Sequence, residues 1–195
     1  MRSLVIVLIF FAKSLAAQNN TLHYDITRND KIIGFLKLQK KEDGDKTYLN
    51  LVSDVNVNFI INTSIKIKEH SVYQNNNLIY SESKRFVNDN EKVNNKTSLV
   101  KGIYYLDKSG FTETLKVPLI NYNLLLMYFN EPSNIAKVYS DSFQQMLKID
   151  KVSQQHFNIH LPDGGINEYF YKDGRCIKVI VNHTFFQIEM RLKNI

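Results

Sequence analysis

Two histidines four residues apart, His156 and His160, form the arrangement in this 195-residue chain that comes closest to a metal site. On a helix, imidazoles at i and i+4 share a face and can hold one ion. Here Phe157, Ile159 and Leu161 alternate with polar residues, which is the period of a strand. At about 3.3 Å per residue the two rings stand about 13 Å apart and share no metal. His23, His70 and His183 are isolated in sequence. The single cysteine, Cys176, follows an Asp173-Gly174 turn. A nucleophile needs a base and an orienting group beside it, so a lone thiol reads better as a small buried hydrophobe. One cysteine also excludes an internal disulfide and any Cys-based zinc cluster.

The carboxylates are more informative. Asp54 and the Glu69-His70 pair sit in or beside a long alternating run. Asp54 falls on its polar side, where a carboxylate is solvated. Glu69 continues the apolar, odd-numbered side. If that side lines a cavity, Glu69 is a buried carboxylate able to contact a ligand. The same side carries Val55, Val57, Phe59, Ile65 and Ile67, and with Glu69 these are the candidate pocket lining. The chain has no Walker loop, GxSxG elbow, HExxH, CxxC or EF-hand loop, so no motif supports an enzyme and no cofactor or metal is implied. Asp163-Gly164-Gly165 reads as a hairpin turn, because no helix follows it.

These residues are positioned by strands. From Tyr48 to Lys66 the even positions are mostly polar, while Leu49, Leu51, Val55, Val57, Phe59, Ile61, Ile65 and Ile67 mark the odd side. That is half-buried antiparallel sheet. The phase holds for about twenty residues, beyond the usual 3–10, and predicts one long curved strand. Shorter alternations recur around Leu22–Ile26, Ile32–Leu38, Ile177–Val181 and Phe186–Leu192. Between the runs lie turn signals, among them Asn29-Asp30, Asp43-Gly44, Asn75-Asn76, Asn88-Asp89, Ser109-Gly110 and Asp173-Gly174. Such pairs tolerate positive φ. Their spacing predicts an up-and-down meander of about nine or ten strands in one domain.

One stretch departs from the pattern. Leu124, Leu125 and Tyr128 have helical spacing, Asn123 could cap the start, and Glu131-Pro132 closes the segment; this predicts a short helix at about 121–129. Asn134 to Leu147 reads either as a second helix or as an irregular strand. So many strands with one greasy face need cover, and a helix of two or three turns covers little. The sheet must curl on itself as a barrel or half-barrel, or find an apolar partner. Curled antiparallel sheets often keep an interior cavity. The 11 Tyr and 12 Phe are core and cross-strand packing, or the lining of that cavity.

The N-terminus serves targeting. Arg2 precedes an unbroken apolar run from Leu4 to Ala12, and Ser14-Leu15-Ala16-Ala17 ends in small residues. This describes a secretory signal peptide over residues 1–17, cleaved after Ala17, with residues 18–195 as one β-rich domain. The run is too short to span a membrane, and no transmembrane segment is expected in the mature chain. Losing Arg2 and Lys13, and no acid, lowers the formal net charge from +6 to +4. The lysines are scattered and form no nucleic-acid-binding block.

Three segments carry a resemblance. LLLMYFNEP (Leu124–Pro132), VYSDSF (Val138–Phe143) and LPDGGINEYFYKDGRCIKVIVNH (Leu161–His183) resemble, in order, an uncharacterised secreted family common in Bacteroidota, a domain of unknown function of about this length. The resemblance implies a Gram-negative envelope setting and supplies no activity, ligand or catalytic residue. More distantly, the architecture is similar to periplasmic lipoprotein-carrier half-barrels, some of which hold acyl chains.

These readings together give an expectation of non-catalytic binding or carriage of a hydrophobic, lipid-like ligand in the periplasm or outside the cell. The alternative is an envelope structural or protein-interaction module with a packed interior.

Overall fold

The computed structural model describes residues 19–58, 62–108, 110–183 and 186–193. The signal segment 1–17, its cleavage point, Phe59 and Ser109 lie outside the described residues.

Fourteen strands form one antiparallel sheet among the described residues. They are β1 (Asn19–Arg28), β2 (Lys31–Asp43), β3 (Lys46–Asn58), β4 (Asn62–Gln74), β5 (Asn77–Val87), β6 (Asn90–Val100) and β7 (Ile103–Lys108), then β8 (Phe111–Leu115), β9 (Lys137–Ser140), β10 (Gln145–Ser153), β11 (His156–His160), β12 (Ile166–Lys172), β13 (Arg175–His183) and β14 (Phe186–Leu192). The spatial order runs β8 back to β1, then β14 back to β9. Each strand pairs with its chain neighbour, except where β1 meets β14 and where β8 and β9 are left as the two edges. The sheet is therefore not closed by hydrogen bonds.

Three expectations are corrected. The strands number fourteen rather than nine or ten, because the second half uses short strands, with β9 and β11 only 4 and 5 residues long. The long strand over 48–67 is a hairpin. Asn58 pairs with Asn62 and Val57 with Thr63. An odd-numbered connection pairs odd residues with odd ones, so the alternation keeps its phase through a reversal of direction. The helix at 121–129 shrinks to one 3-10 turn, Leu126–Tyr128. The undecided stretch that follows contains β9 and the start of β10.

The turn chemistry holds. Asn29-Asp30, Asn75-Asn76 and Asn88-Asp89 all have positive φ, between 47° and 61°. Two consecutive left-handed residues make the turn whose twist matches antiparallel strands. Register shifts in the ladders at Ile26/Thr27, Val72/Tyr73, Arg85/Phe86 and Phe170/Tyr171 add twist and bend the strands inward. Gly34 on β2 serves the same curvature, since a Cβ there would lie 2.2 Å from the Asp54 carbonyl oxygen.

The curl brings the β9 edge against β6, two strands in from the β8 edge. Tyr139 on β9 shares a 2.7 Å hydrogen bond with Thr97 on β6. In the following turn Gln144 Nε2 donates to the Lys96 carbonyl, and Asn95 Nδ2 donates to the Ser142 carbonyl. Closure is by side chains rather than by a ladder.

Candidate functional site

The inner face can be read from the register. On β3 the inward row is Leu49, Leu51, Ser53, Val55, Val57; on β4 it is Tyr73, Ser71, Glu69, Ile67, Ile65. On β5 the matching row is Leu78, Ser81, Ser83, Arg85, Val87. From one end of the interior to the other, these rows go from large apolar groups, through a polar band, to a second zone that is apolar on β3 and β4 and carries Arg85 beside Val87 on β5.

The first end is filled by the chain itself. The segment from Ile120 to Tyr128, the one expected to be helical, runs inside the curl, with Ile120, Tyr122, Leu125, Leu126, Met127 and Tyr128 buried. Buried backbone must find hydrogen-bond partners, and here the walls supply them. Leu78 N donates to the Ile120 carbonyl, Tyr104 Oη accepts from Ile120 N, and Tyr171 Oη donates to the Met127 carbonyl at 2.8 Å. Asn123 is the anchor. Its Nδ2 donates to Ser71 Oγ at 2.9 Å and to Asp141 Oδ2 at 2.8 Å, while its Oδ1 accepts from Leu126 N at 3.2 Å. Tyr128 packs edge-to-face on Tyr24 at 5.4 Å and on Tyr169 at 5.9 Å. The space left at this end, between Lys40, Tyr73, Asn121, Tyr122 and Asn130, is about 190 Å³. Small-molecule sites usually offer roughly 300–1,000 Å³.

The other end is different. Ile65 and Ile67 on β4, Val181 on β13, and Ile188 and Met190 on β14 pack on the core yet stay only partly buried. They lie on the inward face, since Ile65 pairs with buried Val55, Val179 with Met190, and Val181 with Ile188. Of the candidate lining residues, Val55 and Val57 are buried there, Ile65 and Ile67 are half-buried beside them, and Glu69 comes next on the same row. The register unites all five. Phe59 lies outside the described residues.

Between the two ends lies the polar band. Ser53, Ser71, Ser81, Ser83, Thr97, Asn123, Asp141 and Gln144 are all buried. Glu69 is half-buried, and its Oε1 accepts from Ser83 Oγ at 2.8 Å. Burial first, then the charge of Asp141, push the Glu69 carboxyl up to about 8, against the pull of Ser83. Burial raises Asp141 to about 6, with Ser81 and Asn123 acting in the opposite sense. Burial of both carboxyls therefore favours keeping a proton on the pair near neutral pH. Two carboxylates with different proton affinities are what acid–base chemistry uses. Asp141, however, is only 3% exposed and is engaged in anchoring Asn123. Three atoms of this band have no hydrogen-bond partner: Asp141 Oδ1, Gln144 Oε1 and Tyr73 Oη. Asp141, Gln144 and the mouth residues Ile188 and Met190 were not among the sequence candidates. The alternation of Phe186–Leu192 carried a signal for the last two; nothing local marks a turn residue that docks on strands some 50 positions earlier.

The remaining chemical candidates stay apart. His156 and His160 lie on β11, a strand as expected, and turn to different carboxylates, Glu168 at 3.0 Å and Asp150 at 3.5 Å. Cys176 is fully buried, its thiol pushed up to about 12 by burial. Asp54 faces outward beside Asn56. Among the described residues no group of three or more His, Cys, Asp or Glu could hold a metal ion. No helix among them is long and apolar enough to cross a membrane.

Comparison with known proteins gives a fold and a family. A crystal structure described as a beta-barrel-like protein of domain of unknown function DUF1849, from Brucella abortus, superposes with a TM-score of 0.55 at 11% sequence identity. The alignment covers 89% of this chain and 95% of that one. No curated protein matches the chain. A family model described as a domain of unknown function, DUF6134, matches residues 24–193.

Proposed function

The chain belongs to the DUF6134 family of unknown function, and from that premise we propose that it is an exported protein that binds the apolar part of a lipid-like ligand. The site is the partly open end of the curled sheet. The observation that carries the reading is the half-buried state of Ile65, Ile67, Val181, Ile188 and Met190 on an inward-facing surface. Apolar area left uncovered inside a fold favours an apolar occupant at roughly 25 cal/mol per Å² removed from water. The filled end narrows the proposal: the ligand takes part of the interior, and segment 120–128 keeps the rest. The N-terminal signal pattern supports export, and a Gram-negative envelope belongs to the same proposal.

A second reading has its own observation. β8 is a free edge of the sheet and its Phe111 is 79% exposed, with Ile103 and Tyr105 exposed on the neighbouring β7 and Val100 on β6. An unpaired edge with apolar side chains suits the addition of a strand from a protein partner, as an interaction module would require.

Native mass spectrometry of the protein purified from a bacterial periplasm without detergent tests the first reading. The expected result is a reproducible added mass, released by organic solvent and identified as lipid. A bare mass that persists after incubation with a membrane lipid extract would overturn it.

A further inference from the structure

We propose that Glu69 receives an ammonium group, so that the ligand is a single-chain amphiphile with a cationic head seated at Glu69 and its tail along Ile67 and Ile65. The inference rests on the reading above and names the chemistry of its ligand.

Position comes first. Glu69 is the boundary residue of the β4 row: Ile67 and Ile65 lead from it to the partly open end, and Ser71 and Tyr73 lead to the plug. It is half-buried while Asp141 behind it is 3% exposed. A molecule entering from the open end meets Glu69 before any other carboxylate of the band. Two residues span about 7 Å of strand, so a head at Glu69 and a tail past Ile67 fit one extended chain.

The charge balance comes second. The groups around Glu69 are neutral or acidic: Leu51 on β3, Ser83 on β5, Asp141 in the turn after β9, Tyr128 of the plug and Tyr169 on β12. Arg85, one inward step towards the open end on β5, is exposed. Two carboxylates thus share a low-dielectric band with no buried cation. A buried carboxyl without a partner of opposite sign keeps its proton, and a cation seated beside it would let it ionise.

The surplus of acceptors comes third. Asp141 Oδ1 and Gln144 Oε1, each on a residue 3% exposed, have no donor among the described residues. A band short of donors fits a ligand rich in them, and an ammonium carries donors only. The charge of Glu69 reaches Tyr128 and Tyr169, which pack edge-to-face on each other. A carboxylate beside aromatic rings is a recurrent way to bind ammonium groups.

The test is isothermal titration of the detergent-free protein at pH 7 with decylamine, decanol, decanoate and putrescine, each below its micelle concentration. Decylamine is expected to bind roughly tenfold more tightly than decanol, the gain of a charge-assisted contact. Decanoate should bind more weakly than decanol. Repeating the titration in buffers of different ionisation enthalpy should reveal proton release, because the cation favours ionised Glu69. In Glu69→Gln the preference for the amine over the alcohol should vanish, with decanol binding kept. Equal affinity for decylamine and decanol in the wild type, which needs no variant to fold, would overturn the proposal and leave the apolar site standing. Putrescine binding as tightly as decylamine would overturn the amphiphile in favour of a free amine. If no alkyl compound binds, the proposed function falls with it.

Discussion

Replacing Glu69 by Gln should make the protein more stable, and only above a certain pH. Gln is the neutral isostere of the protonated side chain, and its Oε1 can still accept from Ser83 Oγ. In the unfolded chain Glu69 titrates near its ordinary value of 4.5; in the folded chain burial and Asp141 hold it near 8. Between those values the folded state binds the extra proton. The stability associated with Glu69 is therefore fully present below about pH 4.5 and is lost as pH rises towards 8. Each unit of separation is worth about 1.4 kcal/mol. Some relaxation and water entry around a half-buried group reduces the sum, which leaves about 2–4 kcal/mol. For a chain of this size that corresponds to a melting shift of roughly 5–15 °C. Thermal unfolding followed by circular dichroism at pH 5, 7 and 8.5 is the assay. Wild type and Glu69→Gln should differ least at pH 5 and most at pH 8.5, with the variant higher. Asp141 shifts in the same direction but to about 6, so it adds slope only at the acid end. Parallel curves at all three pH values would refute the buried placement of Glu69.

Other substitutions probe the framework. Gly34→Ala places a Cβ 2.2 Å from the Asp54 carbonyl oxygen and 2.8 Å from Val55 Cα, so it should cost about 1–3 kcal/mol in urea unfolding through the clash, whereas Gly44→Ala, with open space around it but φ at 63°, should cost about 1–2 kcal/mol through left-handed strain alone. Asn123→Ala removes the donor shared by Ser71 and Asp141; it should cost about 1–3 kcal/mol, and hydrogen exchange should quicken over 120–128 while β10–β13 stay protected. Cys176, buried with a raised pKa, should react with a thiol reagent only as fast as the protein unfolds.

Much of the fold was legible because strands announce themselves twice, by alternation and by turn pairs. Asn29-Asp30, Asn75-Asn76 and Asn88-Asp89 adopt the left-handed conformation that their side chains tolerate. The hairpin at 58–62 escaped notice because pairing Val57 with Thr63 preserves the parity of the row. The apparent helix failed for a different reason. LLLMYF is apolar nearly throughout because it runs inside the sheet, and only one 3-10 turn bonds to itself, while Leu124 N donates to the Tyr139 carbonyl and the Met127 carbonyl accepts from Tyr171 Oη. Part of the candidate site was also readable. Glu69 could be placed on the apolar row from phase alone, and Ile65 and Ile67 with it. Asp141 and Gln144 could not, since they reach the band through a turn whose partners, Lys96 and Thr97, are 48 and 47 residues away in sequence.

The central claim is that one end of the interior is occupied by the chain and the other is available to an apolar ligand. Methyl-labelled NMR during a decanol or decylamine titration tests it most directly. Ile65, Ile67, Ile188 and Met190 should shift saturably, while Met127, Leu125 and Ile120 within the plug stay in place. Shifts centred on the plug methyls, or none at the four open-end residues while the alkyl compound demonstrably binds, would contradict it.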